Sequence, residues 1–228
     1  MHRLHCWSAT TICRSSSRCA PKLRFRDWSM DSGAYSAHNS GASIDLDAYI
    51  KTCKVLLATD PQLVEVFSLD VIGNWRASMR NTEKMWAAGV PAIPTFHLRE
   101  PEHVLLGMAK EYPKVALGGG VGYRRKDEWA AQCFARIWPH RIHGLGYGSE
   151  KSVLSLPFES VDATNWESGP SMFGNWATYG NLSTRGGKVS DGLSLRVEVE
   201  HYLRLEERAR VRWAKEMKLI GAPQVAAT

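Results

Sequence analysis

Cysteine is scarce here, and what there is does not pair. Five cysteines stand at positions 6, 13, 19, 53 and 133 of the 228 residues, an odd number with no C-x-x-C pair. Paired-cysteine zinc sites are therefore not expected, and reduced thiols in a cytoplasmic protein are. His2, His5 and Cys6 fall close together, but the grouping reads as accidental, so neither a metal nor a cofactor is expected. No run approaches the roughly eighteen apolar residues that a membrane span needs, so no membrane partner is expected. Acid is absent from the first 26 residues, which hold Arg3, Arg14, Arg18, Lys22, Arg24 and Arg26. That stretch is Arg- and Ser-rich without apolar periodicity, as in a transit peptide or a flexible basic arm. It is expected to be poorly ordered, with one domain occupying 27–228.

What is present suits a globular chain with a sizeable core, at 44% hydrophobic and 23% charged residues. Twenty-nine Lys and Arg against 23 Asp and Glu give a formal charge of +6, which permits a polyanionic partner because neutralising phosphates releases counterions. Nine tryptophans can stack on bases, although filling a core is their commoner use. The number of subunits is not legible.

Along the chain, short strand-like runs alternate with helical patterns. An alternating run over 23–30 ends at Asp31-Ser-Gly-Ala-Tyr35, where Gly33 lets the backbone turn sharply. A helix is expected from about 43 to 57, stopped by Asp60-Pro61. The run 63–70 ends in Asp70, a helix follows over 74–88 to Gly89, and the strand 91–97 ends in His97. A helix over 100–111 leads to a strand that closes in the glycines 118–120, and a helix over 127–137 precedes the strand 141–148. The sixth strand-like run, 154–161, delivers Asp162 into a polar turn. Taken alone, Asp162 is more readily a turn or helix cap than a reactive group. Beyond Trp166, a Gly- and aromatic-rich loop spans 169–187, and a long helix is expected over 193–219 with Leu203, Leu205, Ala209 and Trp213 among its apolar positions.

Strands alternating with helices of this length predict an α/β protein with parallel strands, arranged as a TIM-like (β/α) barrel. Six strands are visible where a full barrel has eight. Either the N-terminal region supplies the others or the barrel is incomplete.

Five motifs occur in one order: Asp31-Ser-Gly-Ala-Tyr35, Ser68-Leu-Asp70, Leu117-Gly-Gly-Gly-Val-Gly122, Gly144-Leu-Gly-Tyr-Gly148 and Ser160-Val-Asp162. In this the chain resembles the queuine tRNA-ribosyltransferase superfamily, and most closely its short, phage-type branch that exchanges guanine in DNA for 7-deazaguanines. The resemblance covers about 29–166. It implies a barrel fold and a pentosyltransferase activity, with Asp162 as nucleophile on C1′ and Asp31 as general acid and base. It also implies base recognition by Asp70, by the amides of Gly118, Gly119 and Gly120, and by Ser32 and Gly33 beside Asp31. His97 stands where the tRNA enzymes usually carry glutamine.

Those enzymes also carry a Cys/His zinc subdomain after the nucleophile, whereas no cysteine follows Cys133 here. The implied partners are thus DNA and a 7-deazaguanine such as a preQ-type precursor, in the cytoplasm of a host if the chain is phage-encoded. A target guanine must leave the stack before C1′ can be reached. Trp176, Arg185 and Lys188, with Phe173 and Tyr179, are the expected surface for the opened strand, although packing of that loop explains them equally. A tRNA-directed relative and a non-catalytic basic nucleic-acid-binding barrel remain open alternatives.

Overall fold

The computed structural model describes residues 27–119, 122–162 and 191–220, with short strands at 3–4, 175–176 and 180–181; side chains are described for 27–119, 122–162 and 199–220. The fold is α/β. Its strands are β1 (Arg3–Leu4), β2 (Trp28–Met30), β3 (Leu63–Val66), β4 (Thr95–His97), β5 (Lys114–Gly118), β6 (Arg141–Gly144), β7 (Ser160–Val161), β8 (Asn175–Trp176) and β9 (Gly180–Asn181). The helices between and after them are α1 (Ala34–Ser40), α2 (Leu46–Thr59), α3 (Trp75–Ala87), α4 (Glu102–Glu111), α5 (Lys126–Ile137), α6 (Glu150–Ser155) and α7 (Asp191–Arg212).

All pairings among β1 to β7 are parallel. One sheet runs β1-β7-β6-β5-β4 and a second joins β2 to β3. An isolated parallel bridge between Phe67 and Ile93 links the two, with the Ile93 amide donating to Val66 and the Ser68 amide to Ile93. From β2 to β7 the strands therefore lie side by side in chain order. β1 lies beyond β7, so Arg3–Leu4, expected in a poorly ordered arm, instead extends the sheet.

Local chemistry explains the helix limits. Asp45 caps α2 by accepting from the Ala48 amide at 2.7 Å, and Asn74 caps α3 from the Ala77 amide at 3.2 Å. Two helices escape the sequence reading. One is α1, which begins directly after Gly33. The other is α6, whose Ser149 cap and Glu150 open a helix that takes in Leu154, where a strand was expected. A run rich in Val and Leu fits both periods over so few residues, and only packing separates them. The expected loop at 169–187 contains the antiparallel pair β8-β9. The long helix starts at Asp191, stops at Arg212, and is followed by a short 3-10 turn at Glu216–Lys218.

Alternation divides the sheet into two faces. Phe96, Val115, Leu117, Ile142 and Val161 face the helices, and pack with Leu105 and Met108 of α4, Phe134 of α5 and Leu205 of α7 in one apolar core. Tyr202, Leu205 and Ala209 of α7, with Trp213 just after it, form a buried stripe, and the Trp213 indole donates to the Val153 carbonyl at 2.9 Å. Leu203, one of the expected apolar positions, is exposed instead. A second core under α2 and α3 joins Met30, Ile50, Cys53, Val66 and Met85. On the opposite face, register aligns Thr95, Ala116, His143 and Ser160 in one row. This face holds the polar groups.

Candidate functional site

Parallel strands place their C-terminal ends on one side of a sheet, and loops at that side are where such folds gather ligand-binding groups. Asp31 follows β2, Asp70 lies in the segment after β3, His97 ends β4, Gly118 ends β5 and Asp162 follows β7. The three carboxylates, up to 131 positions apart in the chain, come within electrostatic reach of one another.

Asp31 carries the clearest perturbation. Its pKa rises from the usual 3.8 to about 6, first because burial strips its water and then because the charges of Asp162 and Asp70 oppose its ionisation. Hydrogen bonds from the Ser32 and Gly33 amides pull the other way and lose. Gly33 reaches the left-handed φ of 74° that turns its amide inward and starts α1.

Asp70 is held on both oxygens. His97 Nε2 lies 2.6 Å from Oδ2 and the Ser32 hydroxyl donates to Oδ1 at 3.4 Å. With 10% and 12% of their side chains exposed, Asp70 and His97 are largely withdrawn from water. Burial would lower the His97 pKa, but the Asp70 hydrogen bond and charge outweigh it and raise it. Glu100 accepts from the His97 backbone amide at 3.0 Å, and its own pKa is raised by burial.

Asp162 is the more open acid, its side chain 32% exposed. The Gly146 amide donates to its Oδ1 at 2.6 Å, and His143 Nε2 stands 3.7 Å from the same oxygen. Near Asp31 and Asp70 the Tyr49 hydroxyl, its pKa raised chiefly by burial, donates to the Phe67 carbonyl at 2.8 Å and helps fix the chain leading to Asp70.

Gly118 is required by its neighbours: a Cβ there would lie 2.8 Å from Thr95 Cγ2 and 3.0 Å from the His97 ring. The absence of a side chain thus makes room for His97. Gly119 takes a left-handed φ of 76°. Gly120, Arg185 and Lys188 lie outside the described residues, as does the side chain of Trp176. Among the described residues, no group of three or more His, Cys, Asp or Glu side chains is arranged to hold a metal ion.

Sequence reasoning did not single out His143, Gly146 or Ser160, although all three stand in or beside the motifs at β6 and β7. A signal was there: a histidine between Ile142 and Gly144 in the short strand Arg141–Gly144.

No family model, curated protein or solved structure matches this chain. The arrangement itself is a set of chemical opportunities: one acid able to hold a proton near neutrality, one accessible carboxylate and one carboxylate restrained by a histidine. No described helix is long and apolar enough to cross a membrane.

Proposed function

We propose that the chain is a transglycosylase that exchanges guanine in DNA for a 7-deazaguanine base through a covalent glycosyl-aspartate intermediate. The observation that carries this reading is the pairing of Asp31, whose pKa is near 6, with the more exposed Asp162 beside it. Breaking an N-glycosidic bond builds positive charge at C1′, and the reaction needs a carboxylate on one side and a proton donor for the departing base. Two acids in unlike environments divide those roles. The side-by-side parallel strands, with β1 beyond β7, support a TIM-like (β/α) barrel as the scaffold.

In the first half-reaction an Asp162 oxygen attacks C1′ and the C1′–N9 bond breaks. Its electron pair leaves with guanine, which takes the Asp31 proton. In the second, the incoming base loses its N9 proton to the Asp31 carboxylate and N9 attacks C1′. The bond to Asp162 breaks and its electrons return to the carboxylate. Two displacements retain configuration. Asp70, oriented by His97 and Ser32, is assigned to the guanine N1 and N2 donors. Gly118 to Gly120 are assigned to the base and Trp176, Arg185 and Lys188 to the opened strand.

DNA is favoured over tRNA by the resemblance to the short, DNA-directed branch, and residues 134–228 hold no cysteine of the kind that ligates zinc in the tRNA enzymes. A DNA substrate places the reaction in the cytoplasm, that of the host for a phage-encoded chain. The test incubates purified protein with guanine-labelled DNA or tRNA and a preQ-type 7-deazaguanine. Guanine release from DNA, and a covalent adduct absent from Asp162→Ala, are expected. Release from tRNA alone would move the substrate to RNA, and no release from either would reject the activity.

A further inference from the structure

Below the three acids lies a buried polar chain that the proposed chemistry does not use. Lys114, 3% exposed, directs its ammonium at three acceptors: Glu65 Oε1 at 2.6 Å, Ser160 Oγ at 2.7 Å and Glu159 Oε2 at 3.0 Å. An ammonium only donates, so the Ser160 oxygen accepts from it. Ser160 Oγ also lies 2.8 Å from His143 Nδ1. The Ser160 hydrogen is then free to point at that nitrogen, making Nδ1 the acceptor. A neutral imidazole that accepts at Nδ1 carries its hydrogen on Nε2. Nε2 is the nitrogen that faces Asp162 Oδ1 at 3.7 Å.

The ring cannot easily turn away. His143 has no exposed surface, sits against the Phe67 ring with centroids 4.6 Å apart, and occupies the row between Ala116 and Ser160. Its nitrogens are thus oriented by the fold toward Ser160 below and Asp162 above. The Gly146 amide engages the same Asp162 oxygen at 2.6 Å, and among the described residues no hydrogen bond is made to Oδ2.

We infer that His143 is a positioning residue for the nucleophile: Lys114 and Ser160 set its tautomer, the Gly146 amide hydrogen-bonds Asp162 Oδ1, the His143 Nε2–H faces that same oxygen at 3.7 Å and favours its orientation electrostatically without a hydrogen bond, and Oδ2 forms the glycosyl bond. This rests on the glycosyl-aspartate reading for its consequence, but the tautomer stands apart from any activity.

Two experiments on the full-length protein test it. Nitrogen NMR of histidine-labelled protein, with the His143 signals identified by their loss in His143→Phe, is expected to show a bare Nδ1 and a protonated Nε2. Ser160→Ala should weaken that preference, and Asp162→Asn should move the Nε2 signal. A proton on Nδ1, or ring signals unchanged in Ser160→Ala, would overturn the tautomer. In single-turnover guanine release, His143→Phe should slow the step by on the order of tenfold to a hundredfold at unchanged DNA affinity. His143→Gln, which keeps an N–H near the same place, should recover much of the loss. Full rate in a folded His143→Phe protein would overturn the positioning role. If the unaltered protein releases no base, that role falls with the transglycosylase reading, and the NMR result still decides the tautomer.

Discussion

The two ends of the parallel strands hold partly buried acids in opposite electrostatic settings. At the N-terminal ends, Glu65 and Glu159 share Lys114, and Arg141 adds a 2.8 Å contact to Glu159. Burial would raise the Glu159 pKa, but Lys114 and Arg141 overcome it and lower it. At the C-terminal ends, Asp31, Asp70 and Asp162 crowd together, and among the described residues neither lysine nor arginine forms an ion pair with any of them. The same functional group, a carboxylate, is neutralised where it supports the fold and left in conflict where chemistry is proposed. Conflict of this kind costs stability and concentrates at functional sites.

The largest effect that would break this contrast is on activity. Asp162→Asn keeps the shape of the side chain and removes the proposed nucleophile, so guanine release should fall at least about a thousandfold. Comparable release from that variant would return Asp162 to the role of a turn cap.

Next comes the opposite end. Lys114→Met leaves Glu65 and Glu159 without their shared cation, and should cost about 3–5 kcal/mol in denaturant unfolding. A loss below about 1 kcal/mol would mean that water or rearrangement compensates the acids as well as Lys114 does.

Asp31 should behave in the reverse sense. Its folded-state pKa is near 6 against an ordinary 3.8, so the folded protein holds the proton more tightly than the unfolded chain. Stability attached to this group is therefore lost as pH rises from about 4 to about 6, and ionised Asp31 costs about 2–3 kcal/mol above that. Asp31→Asn should accordingly stabilise the protein at pH near 7.5 by up to that amount and make little difference below pH about 4. Equal effects at both pH values, read from urea midpoints, would show that charge conflict is not the cause.

The smallest effect sharpens the picture of the cluster. In the proposed first half-reaction protonated Asp31 is the donor, so single-turnover guanine release should decline as pH rises past about 6. Asp70→Asn removes one of the charges that raise this pKa, and should shift the decline to lower pH. A profile that does not move would place the controlling proton elsewhere.

Much of the scaffold could be read from the chain. Asp45, Asn74 and Asp60-Pro61 mark helix limits by local hydrogen bonding and steric rules, and these act wherever the residues occur. The alternation of strand and helix likewise predicts parallel pairing. The site was legible only as a list of strand ends: Asp31, Asp70, His97, Gly118 and Asp162. The need for Gly118 came from Thr95 and His97 on the adjoining strand, a contact that no local pattern encodes. The helix at 150–155 was misread because so short an apolar stretch fits either period.

By itself, then, the order of residues determined which elements form and which acids stand at their ends, because capping, turn geometry and periodicity act over a few neighbouring residues. Only the tertiary structure decided that Asp31 is partly buried beside Asp162 and Asp70, that His97 grips Asp70, and that His143 stands between Asp162 and the Ser160–Lys114 pair. Those facts depend on strand register and desolvation across more than a hundred residues of chain, and charge interactions strengthen only once folding has removed the water between them.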